Sequence, residues 1–162
     1  MGLVHIYCGD GKGKTSAAVG LAVRAAGCGK RVVIARFLKT DNSGEVEILK
    51  KIPEVTLIPC RKTFGFVRSM DEETKRECAA YHRELFGEAV KLAEHADLVV
   101  FDEIMAAVNY GMVPERDVLE FLENRPGRDQ TDGLEIVLTG RDPSEKLIAA
   151  ADYVSEICKR KH

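Results

Sequence analysis

Neither sign of charge dominates this 162-residue chain. Its 24 basic and 26 acidic residues leave a formal net charge of -2, which removes the electrostatic case for a dedicated DNA or RNA binder. One compact polyanion could still be held at a local positive site. Tryptophan is absent and aromatic residues make up only 6%. No apolar run approaches the ~20 residues that span a bilayer. The first residues have neither a basic segment nor a long apolar one, so no signal peptide is read. The five cysteines, Cys8, Cys28, Cys60, Cys78 and Cys158, are odd in number and form no CxxC pair. A zinc ribbon and a disulfide scaffold are both disfavoured, and a reduced cytoplasmic enzyme fits. The four histidines lack ligand spacing, and there is no catalytic triad and no clear general base.

What is present suits one domain, 1–162, since ~150 residues is an ordinary domain length. Hydrophobic residues reach 45%, enough for a self-sufficient core. Short β-branched runs at 3–7, 31–37, 55–58, 98–101, 135–138 and 153–157 alternate little, as strands buried on both faces do. Helices are expected at 14–26, 71–95, 114–122 and 144–151. Ser69 and Glu72 read as a capping box for the longest, Pro114 as a first helical residue and Ser144 as a cap. Stretches 41–47, 61–70 and 127–133 read as irregular. Alternating strand and helix predicts a doubly wound, mostly parallel α/β sheet, whose ligands sit beyond the C-terminal strand ends.

The strongest chemical signal follows the first strand: Gly9-Asp10-Gly11-Lys12-Gly13-Lys14-Thr15. Glycines let successive amides point inward at phosphate oxygens, and the next helix adds its positive end. Lys14 can reach two phosphates, and the Thr15 hydroxyl can ligate Mg2+. In the usual G-x-x-x-x-G-K-[ST] pattern the first glycine would stand at Cys8, so here it comes one residue late. The second signal is a hydrophobic strand ending in Asp102-Glu103, where a magnesium-side carboxylate belongs. Adjacent residues of a strand point to opposite sides, so one of the two faces the metal. A third, Thr139-Gly140-Arg141, could read phosphate or ribose, or be a solvated turn. Arg24 lies ~15 Å beyond Lys14 along the helix; it could reach another part of a ligand or pair with an acid.

Taken in order, these motifs resemble the ATP:corrinoid adenosyltransferases of the P-loop type, also called cob(I)alamin or cob(I)yrinic acid a,c-diamide adenosyltransferases. The family's G-[ND]-G-K-G-K-T-[TS]-A-A matches Gly9 through Ala18, with Ser16 in the [TS] position. R-A-x-G-x-G matches Arg24, Ala25, Gly27 and Gly29; Q-F-x-K resembles Arg36-Phe37-Leu38-Lys39. V-L-D-E matches Val100-Phe101-Asp102-Glu103, R-P matches Arg125-Pro126, T-G-R matches Thr139-Gly140-Arg141, and A-D-x-V-S-E begins at Ala151 and ends at Glu156. The late glycine is the family's own form. Where the family carries G-F-x-W, pressing aromatics on the lower corrin face, this chain has Gly65-Phe66-Val67-Arg68. Arg36 replaces the usual Gln, and the 127–133 loop is longer.

The resemblance implies a RecA-like P-loop fold and transfer of the 5'-deoxyadenosyl group from ATP to the cobalt of a reduced corrinoid, releasing triphosphate. Cob(I) is itself a strong nucleophile, so no general base is needed. The protein positions C5' and neutralises the leaving triphosphate. Lys14, Thr15 and Glu103 are the implied catalytic residues. Gly9, Asp10, Gly11, Lys12, Gly13, Lys14, Thr15, Ser16, Arg24, Lys39, Phe66, Arg68 and Arg141 are the implied ATP- and corrinoid-binding set. Thr15, Asp102 and Glu103 are the implied Mg2+ ligands. The nucleotide lies reversed in the loop relative to ordinary P-loop enzymes, in adenosylcobalamin synthesis or salvage. Implied partners are ATP, the corrinoid, a flavoprotein or other electron donor and a second copy in a homodimer, with no nucleic acid and no membrane. A conventional P-loop ATPase or nucleotide kinase, and a non-catalytic ATP or corrinoid binder, are the rival readings.

Overall fold

The computed structural model describes residues 2–161. Its strands, among those residues, are β1 (Val4–Cys8), β2 (Val32–Arg36), β3 (Val55–Leu57), β4 (Leu98–Asp102), β5 (Glu135–Thr139) and β6 (Tyr153–Glu156). They form one sheet in the order β3-β2-β4-β5-β1-β6, and every pairing is parallel. The helices are α1 (Lys14–Gly27), α2 (Gly44–Leu49), α3 (Glu72–Ala93), α4 (Ile104–Asn109), α5 (Glu115–Glu123) and α6 (Glu145–Ala150), with a single 3-10 turn at Val67–Ser69. The doubly wound parallel sheet expected from the alternating pattern is the fold observed.

Alternate residues of each central strand feed two separate cores, because successive side chains leave a strand on opposite faces. Val32 and Ile34, with Val100 and Val137, pack under Ala18, Ala22 and Ala26 of α1. Small residues at four-residue intervals lay that helix close against the sheet. Val33, Ala35, Val99, Phe101, Ile136 and Leu138 face the other way, under residues of α3, α4, α5 and α6. Phe101 is fully buried there, with its ring 5.4 Å from Phe86 and 5.6 Å from Phe121. Phenylalanines therefore sit at the centre of this second core. β2 and β4 are buried along their whole length, whereas the edge strand β6 is exposed throughout.

Several local expectations are corrected. The Ser69–Glu72 capping box does not form: Asp71 is the cap, its carboxylate accepting from the Thr74 amide at 2.7 Å. The Ser69 hydroxyl instead donates to the Phe66 carbonyl, closing the 3-10 turn. An aspartate next to the first helical residue wins because it also meets the positive helix end as a full charge. Pro114 is the residue before α5 rather than its first. Two short helices, α2 and α4, have no counterpart among the expected elements. Each has six residues, too few for a periodic pattern to declare itself.

Candidate functional site

The loop from Gly9 to Gly13 joins β1 to α1 at the C-terminal edge of the sheet. Gly9 has φ 101° and Gly13 φ 117°, conformations that side-chain-bearing residues rarely adopt. A Cβ on Gly9 would lie 2.5 Å from the Ile157 carbonyl oxygen, and one on Gly11 2.6 Å from it. The segment after β6 is the reason. The Ile157 amide donates to the Cys8 carbonyl at 2.9 Å, and the Gly11 amide donates to the Ile157 carbonyl at 2.7 Å. The Lys159 amide reaches Asp10 Oδ1 at 3.1 Å, and its ammonium is 3.2 Å from Oδ2. The Lys159 amide, and then its side chain, hold the Asp10 carboxyl below the usual carboxylate range. The late glycine is thus explained: Cys8 is still a strand residue paired with Glu156, and Gly9 is the first that must turn against the strap. Gly9→Ala is expected to cost about 1–3 kcal/mol of stability, read as a lowered Tm together with weakened ATP binding.

Inside the loop, the Lys14 ammonium donates to the carbonyls of Gly9 and Gly11, both at 2.8 Å. Thr15, one residue on, donates from Oγ1 to Asp102 Oδ1 at 3.0 Å. Asp102 is 2% exposed and is the hub of the site. Its Oδ1 also accepts from the Thr139 hydroxyl at 2.7 Å, and its Oδ2 accepts from the Lys39 ammonium. Lys39 in turn donates to Thr15 Oγ1 at 2.8 Å. The first turn of α1, a turn after β2 and the ends of β4 and β5 thus meet at one carboxylate.

Of the acid pair, Asp102 ends β4 and Glu103 already lies beyond the strand. Asp102 faces Thr15, and Glu103 leaves the strand in a left-handed conformation, φ 63°, as the residue before α4. The Glu103 amide donates to Thr139 Oγ1 at 2.9 Å. Gly140, φ 143°, passes so close to α4 that a Cβ would sit 2.5 Å from Met105 Cβ. Substitution there would push α4, and Glu103 with it, away from the strand ends.

The remaining expected residues are spread more widely. Lys12 and Ser16 are exposed. Ser16 lines a cavity of about 460 Å³ with Thr15, Val19, Gly20, Lys39 and Glu45. Phe66 is 87% exposed, at the rim of a second cavity of about 400 Å³ lined by Leu38, Lys39, Phe64 and His82 among others. Arg68 is exposed on the 3-10 turn, and Arg141 is exposed just past β5. Arg24 is exposed in the last turn of α1, at the opposite end of that helix from Lys14. The structure does not bring Arg24 to the loop within this chain.

Sequence reasoning gave no role to three neighbours of the site. Arg36, buried at the end of β2, donates to the Thr40 carbonyl at 3.0 Å and pairs with Asp41. Asp41 also accepts from the Cys60 amide. His82 accepts at Nε2 from the Leu38 amide at 3.0 Å and donates from Nδ1 to the Cys78 carbonyl at 2.8 Å. These contacts join residues 4 to 44 apart, and no local spacing encodes the longer ones.

Burial pushes the His82 imidazolium below its ordinary titration range. Between that lowered value and about 6.5 the unfolded chain binds the proton and the folded one does not. Stability from this group is therefore complete above pH ~6.5 and falls as pH drops toward the lowered value. Denaturant titrations should find that slope in the native protein and a shallower one in His82→Gln.

The family model described as ATP:corrinoid adenosyltransferase BtuR/CobO/CobP matches residues 1–162. This chain belongs to the ATP:corrinoid adenosyltransferase family. It is 34% identical to the corrinoid adenosyltransferase of Escherichia coli (strain K12), over 99% of this chain and 79% of that protein. It is likewise 34% identical to corrinoid adenosyltransferase CobA of Salmonella typhimurium, with the same coverage. A KaiC-like protein, PH0186, from Pyrococcus horikoshii OT3 superposes with a TM-score of 0.50 at 16% identity, over 98% of this chain and 74% of its own. That likeness supports the RecA-like P-loop fold. The adenosyltransferase reading is favoured over a conventional ATPase, a nucleotide kinase and a passive binder. As a transferase of this family it has ATP and a corrinoid as substrates. Among the described residues no helix is long and apolar enough to cross a membrane.

Proposed function

We propose that residues 1–162 act as one cytoplasmic adenosyltransferase domain that moves the 5'-deoxyadenosyl group of ATP to cob(I)alamin or cob(I)yrinic acid a,c-diamide and releases triphosphate. The observation that carries this reading is the position of Lys39. It touches Thr15 and Asp102 and lines both the cavity beside α1 and the aromatic-rimmed cavity at Phe64 and Phe66. One side suits a nucleotide and the other a flat macrocycle.

In this reading the cobalt electron pair forms the bond to C5' while the C5'–O bond breaks, and its electrons leave on triphosphate. The loop amides from Gly9 to Gly13, with Lys12 and Ser16 at the rim, hold the phosphates. Lys14 exchanges its carbonyl partners for phosphate oxygens and meets the charge that grows on the leaving group. The nucleotide lies reversed in the loop, so that C5' faces Phe66 and Arg68. Arg141 approaches the nucleotide from the end of β5. Arg24 would serve a different part of the ligand, or a second subunit's site in a homodimer.

Thr15 and Asp102 offer a hydroxyl and a carboxylate 3.0 Å apart beside the loop, a hard oxygen donor pair that fits Mg2+. Glu103, the next residue along the chain, is the further carboxylate in this reading. Bound there, Mg2+ would neutralise part of the triphosphate charge. Thr139 keeps Asp102 aimed at Thr15, and Lys39 balances its charge. The reductant that makes cob(I), a flavoprotein or other electron donor, would deliver the corrinoid in its nucleophilic state.

The test supplies ATP, Mg2+ and chemically reduced corrinoid and follows the cobalt–carbon bond by absorbance. Equimolar adenosylcorrinoid and triphosphate are expected. ADP with phosphate, or ATP binding with no adenosylation of either corrinoid, would overturn the proposal. Phe66→Ala should lower the rate with corrinoid by ~10-fold or more while leaving ATP affinity within about twofold, as loss of a stacking face predicts. An effect confined to ATP affinity would contradict a corrin-side Phe66.

A further inference from the structure

The turn after β2 is held from α3, by a side chain that also lines the cavity at Phe64 and Phe66. Phe37 is fully buried, and its amide donates to the Asp102 carbonyl at 2.9 Å. The chain then departs from extended geometry: Leu38 has φ 51°, an unusual conformation for a bulky side chain. That reversal turns Lys39 back over Asp102 and Thr15. The Leu38 amide lies beyond the end of β2 and is satisfied by His82 Nε2.

His82 is itself tightly fixed. It is 3% exposed, and its Nδ1 proton is committed to Cys78, one turn earlier in α3. The Tyr81 ring meets it edge-on at 5.1 Å, and the rings of Phe37 and Phe64 lie at 6.1 and 6.3 Å. A backbone amide on one side and a backbone carbonyl on the other require a neutral ring with its proton on Nδ1. The other tautomer would set two donors head to head at Leu38.

We propose that His82 is a positioning residue for the adenosyl transfer: by accepting from the Leu38 amide it holds the left-handed turn that places the Lys39 ammonium on Asp102 and Thr15. The inference rests on the reading of Lys39 as a cation of the ATP site. Leu38 links the two. α3 thereby fixes the charge of a site to which it contributes no ligand.

The test combines Mg2+-ATP binding by calorimetry with transfer kinetics for Lys39→Ala, His82→Leu, His82→Gln and the Lys39→Ala/His82→Leu double variant. His82→Leu should weaken ATP binding by about 10-fold, and His82→Gln, whose amide oxygen can replace Nε2, by less than about threefold. In the Lys39→Ala background His82→Leu should add less than about twofold, since coupled residues do not act additively. An additive loss overturns the positioning role alone. Unchanged ATP binding in Lys39→Ala overturns the reading of the site, and the inference with it. Nitrogen-15 imidazole shifts of the native protein supply a test that needs no variant. A proton on Nδ1 with Nε2 accepting is expected; a proton on Nε2 overturns the proposal even if His82→Leu fails to fold.

Discussion

Lys14→Ala is expected to lower kcat/KM by about 30- to 1000-fold, the equivalent of ~2–4 kcal/mol of transition-state stabilisation. In the proposed reaction the new charge appears on the leaving triphosphate, and Lys14 is the buried cation inside the loop proposed to cradle it. The ammonium is held at two carbonyls, and bonds to phosphate oxygens would replace those it gives up. Tm should change far less than activity, because the loop is also fixed by the Ile157 strap. Measured kcat/KM for ATP decides the matter. A loss under about threefold would remove Lys14 from the reaction.

Asp102→Asn is the second large effect. The amide keeps the size of the carboxylate and can still accept from Thr15 and Thr139, but it loses the charge that faces Lys39. A charge-assisted hydrogen bond contributes about 1.5–3 kcal/mol, so a 10- to 100-fold fall in kcat/KM is expected. Excess Mg2+ should recover part of that loss if the carboxylate helps hold the ion. Asp102→Ala should in addition lower Tm, since the buried Thr139 hydroxyl would lose its acceptor. An Asn variant as active as the native protein at limiting Mg2+ would remove Asp102 from the metal and triphosphate site.

The parts legible in the sequence were those whose signal is local. Gly9 to Thr15 announces a phosphate loop because glycine spacing, strand and helix follow one another without a gap. The run ending at Asp102 announces a buried strand with an acid at its end. Lys39 is different: nothing in its own surroundings marks it, and it entered only through resemblance to a family motif. Its role comes from contacts with residues 24 and 63 positions away. His82 reads only as a structural or solvated histidine on or near a helix, because the amide it accepts from is 44 residues distant. The reason for a glycine at position 9 rather than 8 was equally hidden, since it lies in Ile157. The Asp71 cap was misread because Ser69 and Asp71 both satisfy part of the capping pattern, and only the backbone decides between them.

The strap over the phosphate loop also constrains the order in which the molecule can be made. β1 is flanked by β5 and β6, so on a growing chain it meets its sheet neighbours only after both of those later strands have been made. α1 can form early, and β2 and β4 can pair. The Gly11 amide, however, waits for a carbonyl 146 residues downstream. Such distant closures slow folding and leave strand edges open in the meantime. A nascent chain should therefore acquire nucleotide affinity in one late step, after residue 157 emerges, rather than gradually as the sheet grows.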